Sequence, residues 1–188
     1  MAVRISAPLI RAATAADAGA LAAIYGHHVL HGLGTFEEVP PSPAEMEQRR
    51  LSVVAHGLPY LVAEDSGCVL GYAYAAPFRA RAAYRYTVED SIYVAPHVQR
   101  RGVGHALLSA VLEHCEAMGL RQVLAVIGDS ENGGSIGLHR ALGFEPAGVG
   151  KDVGFKQGRW VDIVWMQKTL NGGSGGVPDA PGLALSGH

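Results

Sequence analysis

Several groups of residues in this chain have the types and spacing to do chemistry. Residues 99–104 read Gln-Arg-Arg-Gly-Val-Gly. Two glycines there let the backbone turn sharply and approach a bound group with no Cβ in the way. Arg100 and Arg101 set two positive charges beside the turn, so a pyrophosphate is the natural ligand. Glu89 and Asp90 are adjacent acids in an otherwise apolar stretch. A carboxylate in such a setting needs a partner or a function, and desolvation raises its pKa toward that of a useful proton acceptor. Ser135, His139 and Leu142 fall at i, i+4 and i+7, on one face of a helix. An imidazole there can give or take a proton near neutral pH. Arg79 and Arg81, two residues apart, offer forked donors for a carboxylate.

These groups need elements to hold them. The alternation across residues 87–94 predicts a strand that puts Thr87, Glu89, Ser91 and Tyr93 on one face, and Val88, Asp90, Ile92 and Val94 on the other. Residues 103–118 follow as an amphipathic helix, so the glycine turn joins a strand to a helix N-terminus. The unpaired amides and dipole of that end favour an anion. Earlier, residues 9–13 read as a strand, 16–30 and 44–56 as helices, and 60–64 and 68–75 as strands joined by an Asp-Ser-Gly turn. Later, residues 122–127 are an apolar strand, 135–142 a short helix stopped by Gly143, and 144–149 and 160–168 the last strands, with Gly-rich sequence between. Residues 1–170 form one α/β domain in this reading. Residues 171–188, rich in Gly, Pro and Ser, are expected to be a flexible tail.

Composition narrows the function. A net charge of −2 supplies no basic footprint for nucleic acid. No apolar run is long enough to span a bilayer, and the first residues lack a signal peptide's apolar core. Cys68 and Cys115 are read as buried thiols in a reducing, cytoplasmic setting. The 9 histidines show no zinc-site spacing, so no metal is expected. His27, His28 and His31 are read as packing or solvated residues.

A strand, Gln/Arg-x-x-Gly-x-Gly and an amphipathic helix in that order resemble the acetyl-CoA loop of the GNAT superfamily of N-acetyltransferases. The segment from Asn132-Gly-Gly-Ser135 to Leu142-Gly-Phe144 is similar to the family's second cofactor segment. Residues 73–84, Thr87-Val-Glu89, Ser91-Ile-Tyr-Val94, Ala125-Val-Ile-Gly128 and Gly154-Phe-Lys-Gln-Gly-Arg-Trp160 further resemble the phosphinothricin and methionine sulfoximine acetyltransferases, over roughly residues 8–168. The resemblance implies the GNAT fold, a mixed, mostly antiparallel central sheet flanked by helices. It implies acetyl-CoA as co-substrate, touched by Ile92, Tyr93, Val94, Gln99, Arg100, Arg101, Gly102, Val103, Gly104, Asn132 and Ser135. The strand is expected to splay at residues 92–94 and free backbone groups for the pantetheine. Glu89 is implied as the base, ahead of Asp90. His139, where many members carry a Tyr, stands as the acid for the leaving thiolate.

The implied acceptor is the α-amine of a small amino-acid-like compound such as phosphinothricin, methionine sulfoximine or methionine sulfone. Phe36, Arg79, Arg81 and Tyr84 would line its pocket, and attack would be direct, in a ternary complex. The last strands, with Trp160 and Trp165, are expected to pair two subunits. The alternatives are a GNAT enzyme for an aminoglycoside, a polyamine or a protein amine, and an acyl-CoA-binding sensor with no transfer activity.

Overall fold

The computed structural model describes residues 8–185. The first residues, read as lacking a signal peptide's apolar core, and the last three residues of the expected tail lie outside them. The elements run β1 (Leu9–Ala12), α1 (Ala18–His31), α2 (Pro43–Val54), β2 (Tyr60–Asp65), β3 (Cys68–Pro77), β4 (Thr87–Val94), α3 (Val103–Ala117), β5 (Gln122–Gly128), α4 (Gly133–Ala141), β6 (Glu145–Lys156) and β7 (Arg159–Thr169). The strands form one sheet in the order β1-β2-β3-β4-β5-β7-β6. Every neighbouring pair is antiparallel except β4 and β5. This is the mixed, mostly antiparallel sheet expected.

Register assigns each face. Gly71, Ala73 and Ala75 of β3 stand opposite Val94, Ile92 and Asp90 of β4, so these residues share a face. That face meets α3: a Cβ on Gly71 would lie 3.3 Å from Leu107 Cδ1. On the other face, Tyr72 stands opposite Tyr93 and Tyr74 opposite Ser91. Tyr25 of α1 packs edge-on against Tyr93 there, with ring centroids 4.8 Å apart. The small residues of β3 therefore admit α3 closely, while its tyrosines fill the space beneath α1.

The caps follow their chemistry. Ser42 accepts the Glu45 amide at the start of α2, with Pro43 in the first turn. Ser66 and Gly67 both take positive φ between paired Asp65 and Cys68, the two-residue turn that suits a twisted hairpin. Two expectations are corrected. Cys68, beside the turn of that hairpin, is exposed rather than buried, whereas Cys115 is buried as read. β6 extends through the Gly-rich segment to Lys156, because β7 pairs along it, with irregularities after Pro146 and Gly150. The described part of the expected tail makes specific contacts. Leu170 and Leu183 are buried, the Tyr86 hydroxyl donates to the Ala180 carbonyl at 2.8 Å, and the Leu183 amide donates to Arg85 at 2.8 Å.

Candidate active site

β4 and β5 pair only from Thr87 with Gln122 to Asp90 with Ala125. Beyond Asp90 they part, and a cleft of about 410 Å³ opens between them. A splay at residues 92–94 was expected, and this is where it falls. The Gly102 turn and the start of α3 close one end of the cleft, and α4 closes one side. Gly102 is left-handed, with φ +82°, directly before the first turn of α3. Its conformation aims the unpaired amides of that turn at the cleft mouth. Gly104 also faces the cleft. A Cβ there would come within 3.2 Å of Leu138 Cδ2 and 3.6 Å of both Ile92 Cδ1 and Val94 Cγ2. Only glycine leaves this backbone open to a ligand.

Of the residues expected at the cofactor, Ile92, Tyr93, Val94, Gln99, Arg100, Gly102, Gly104, Asn132 and Ser135 line this cleft. Arg101 is exposed beside it. The Val103 side chain is in the core, so that residue can offer only its backbone. Asn132 has a structural task too: its side-chain oxygen accepts the Ser135 amide at 3.2 Å and caps α4. The carbonyl of Val94 is not free, because His28 Nε2 donates to it at 2.9 Å. His28 lines the cleft, and burial is the main reason its pKa is lowered, with the Val94 bond opposing.

At the fork, Asp90 Oδ2 lies 3.0 Å from His139 Nε2, both side chains being almost fully buried. His139 Nδ1 is 2.8 Å from the Ser135 carbonyl oxygen. Burial opposes a charge on His139, but the Asp90 carboxylate and the Ser135 carbonyl outweigh it, and the imidazole pKa is raised. The ring also meets the Phe144 ring edge-on at 4.9 Å.

Glu89 occupies the opposite face, half-buried. Burial raises its pKa, the Asp90 charge adds to this, and Arg79 opposes both. Arg85, four residues before Glu89, donates to the Ala82 carbonyl and lies over the Tyr86 ring. Arg79 lies over Phe78, and Tyr84 packs edge-on against Phe78. Arg79 is thus brought toward Glu89, while Arg81 stays exposed at the start of a short turn. The Phe36 ring rests against Gly154 of β6, where a Cβ would collide with it.

This arrangement can hold a long anionic ligand along the fork on one face of β4, and a half-buried carboxylate on the other. The acetyltransferase (GNAT) family model matches residues 27–144. The chain belongs to the GNAT acetyltransferase family. A phosphinothricin N-acetyltransferase of Alcaligenes faecalis is 53% identical to this GNAT chain over 163 residues, 87% of it and 83% of the relative. An L-methionine sulfoximine/L-methionine sulfone acetyltransferase of Salmonella typhimurium is 38% identical over 91% of the chain and 98% of the relative. The crystal structure of a GNAT superfamily phosphinothricin acetyltransferase from Sinorhizobium meliloti in complex with acetyl-CoA superposes with a TM-score of 0.89. It is 49% identical over 92% of this chain and 94% of that one. The fork, the glycine turn and the free amides of α3 fit acetyl-CoA as the acetyl donor of this GNAT enzyme.

Some residues of the site in this GNAT domain escape a reading of the sequence. The Tyr25 hydroxyl donates to Glu37 at 2.8 Å and lies 2.7 Å from the Thr35 hydroxyl, and Arg49 grips Glu37 with both nitrogens. Lys156 Nζ, almost fully buried, donates to the Thr35 carbonyl at 2.8 Å. Together they fix the loop that carries Phe36. Their partners are far apart in sequence, and only the acids and bases themselves were visible. Among the described residues no cluster of His, Cys, Asp and Glu could hold a metal, and no helix is long and apolar enough to cross a membrane.

Proposed function

We propose that this enzyme transfers the acetyl group of acetyl-CoA to the α-amine of a small, anionic amino-acid-like substrate of the phosphinothricin, methionine sulfoximine or methionine sulfone type. The observation that carries the reading is the half-buried Glu89 beside Arg79, on the face of β4 away from the cofactor fork. A base in that position takes a proton from an ammonium ion, directly or through a water, at neutral pH. Arg79 and Arg81 supply positive charge for an acidic side group or α-carboxylate, and Phe36 and Tyr84 bound the pocket. The relatives named for phosphinothricin and methionine sulfoximine support this class.

Acetyl-CoA supplies an acyl group activated as a thioester. In this chain the α3 amides, Gln99 and Arg100 hold the anionic part, and the edge of β4 beyond Asp90 orients the remainder. His139 acts as the acid at the thiol end. Both free cysteines lie outside the cleft lining, which favours direct attack in a ternary complex over an acetylated enzyme. A cationic acceptor would meet like charge at Arg79 and Arg81.

The enzyme works in the cytoplasm as a homodimer in this reading. Phe155 and Trp160, about 60% exposed on the β6–β7 hairpin at the sheet edge, form the apolar surface for a second copy.

The test is thiol release from acetyl-CoA over a panel of amines. Turnover on phosphinothricin, methionine sulfoximine and methionine sulfone is the expected result. Activity confined to polyamines or aminoglycosides would overturn the substrate class. Binding of acetyl-CoA with no thiol release from any amine would favour the sensor.

A further inference from the structure

His139 is bonded at both ring nitrogens, and the partners fix its protons. Its Nδ1 lies 2.8 Å from the Ser135 carbonyl oxygen. A carbonyl only accepts, and the Ser135 hydroxyl lies farther off at 3.4 Å, so the shorter contact puts a hydrogen on Nδ1. Its Nε2 lies 3.0 Å from Asp90 Oδ2. That bond requires one proton between the two atoms, whether it sits on the imidazole or on the carboxyl. The hydrogen-bonded pair is therefore neutral overall and holds one proton that can leave. Asp90 Oδ1 is buried without a hydrogen-bond partner among the described residues, and Asp90 lines the cleft where β4 and β5 part. Among the described residues, the other titratable groups around the pair are the Cys115 thiol of α3, pushed up to about 12 chiefly by burial, Glu89 on the far face of β4, and His28 and His105, which line the same cleft.

We propose that Asp90 is a positioning residue that keeps His139 loaded with a proton for the sulfur leaving acetyl-CoA. The proposal rests on the reading of the fork as the acetyl-CoA site and of His139 as the acid. When the carbon–sulfur bond breaks, its electron pair goes to sulfur; the hydrogen bond between Asp90 and His139 opens, and the proton it held passes to sulfur. An Asp90 carboxylate then faces the bare Nε2 of a neutral imidazole. That contact is repulsive, so the pair takes up a proton again before the next turnover. The attacking ammonium releases two protons in all. One leaves through Glu89 to solvent, and the second, lost as the amide forms, balances the one taken by sulfur. Without Asp90 the neutral imidazole is the favoured state at this buried position.

The test joins a spectroscopic readout on the free protein to kinetics. In wild-type protein with 15N-labelled histidine, the His139 Nδ1 should be protonated at pH 7 and the Nε2 proton should resist exchange. A bare Nδ1 would overturn the proposal with no variant needed. In Asp90→Asn, nearly isosteric, the asparagine amide can donate to Nε2, and the imidazole should titrate at lower pH by a unit or more. The same variant should lower kcat on the order of a hundredfold. Its alkaline limb should move to lower pH, because the acid must stay protonated to act, while the acetyl-CoA Kd from calorimetry stays within about threefold. An unchanged His139 titration, or an unchanged alkaline limb, would refute the role of Asp90. Failure of wild-type protein to bind acetyl-CoA would refute the reading of the fork, and the nitrogen spectra would still report whether the pair holds its proton.

Discussion

Glu89 and Asp90 are consecutive on β4 yet serve opposite faces of the sheet: Asp90 bonds His139 of α4, and Glu89 feels the charge of Arg79 on the other face. Strand alternation alone requires the separation. In the proposed mechanism one strand thereby presents a proton acceptor to the amine on one face and a proton-holding pair to the thiol on the other. Glu89→Gln keeps the shape of the side chain and removes its basicity. It should lower kcat/KM on the order of 10²- to 10⁴-fold and leave acetyl-CoA affinity unchanged by calorimetry. Loss of acetyl-CoA binding in this variant would show that Glu89 supports the fork and not the acceptor.

Arg79 should set both the acceptor affinity and the working pH of Glu89. Burial raises the Glu89 pKa, Asp90 adds to it and Arg79 opposes. The base must be unprotonated, so kcat/KM should rise with pH through a value above the ordinary carboxylate range. Arg79→Ala removes the opposing positive charge, and the acidic limb should move to higher pH. The same change should raise KM for an anionic acceptor on the order of tenfold or more. A pH profile superimposable on wild type would place Arg79 too far from Glu89 to matter.

Local features of this chain were legible in sequence, and long-range pairings were not. β4, the glycine turn and α3 are contiguous, so alternation, two glycines and helical spacing described them directly. The splay at Ile92 followed from the same stretch. The Asp90–His139 bond joins residues 49 apart, and it depends on how α4 lies over the fork, which no local pattern encodes. His139 was therefore read as an open acid on a helix face, and Asp90 ranked behind Glu89. β6 was read short because glycine is a poor strand former. Its pairing to β7 overrides that preference, with irregularities at Pro146 and Gly150. Cys68 was read as buried from its apolar neighbours, whereas its place at the hairpin end exposes it.

Gly104→Val should close the cofactor fork. Even a single Cβ would lie 3.2 Å from Leu138 and 3.6 Å from Ile92 and Val94, and the branches of valine would enter the space left for the ligand. The acetyl-CoA Kd should weaken on the order of tenfold or more, measured by calorimetry. A wild-type Kd would mean that the ligand does not pass Gly104.

Acid stability should carry the signature of Asp17. Its carboxylate takes two bonds of 2.8 Å from Arg11 and one of 2.7 Å from the Thr14 amide. The Arg11 bonds outweigh the opposing burial, and the pKa is lowered to about 2. A depressed folded-state pKa gives stability that is fully present above the unfolded value near 3.8 and is lost as pH falls through about 2. The amount is about 2 kcal/mol. Urea melts of wild type and Asp17→Asn should therefore differ most at pH 5 to 7 and converge toward pH 2. A gap that does not change with pH would assign the effect of Asn to packing.

The C-terminal segment should behave as part of the domain. Leu183 is buried, its amide bonds the Arg85 carbonyl, and Tyr86 bonds the Ala180 carbonyl. Leu183→Ala should therefore cost about 2–3 kcal/mol in a denaturant melt, as for other buried leucines. Arg85 and Tyr86 lie between β4 and the turn that bears Tyr84, so removing residues 171–188 should free the base of the loop proposed to bind the acceptor as well as uncover the core. The truncated enzyme should show a raised acceptor KM with its acetyl-CoA Kd unchanged, because the fork lies at the other end of β4. Wild-type stability and KM after truncation would mean that these contacts contribute nothing in solution.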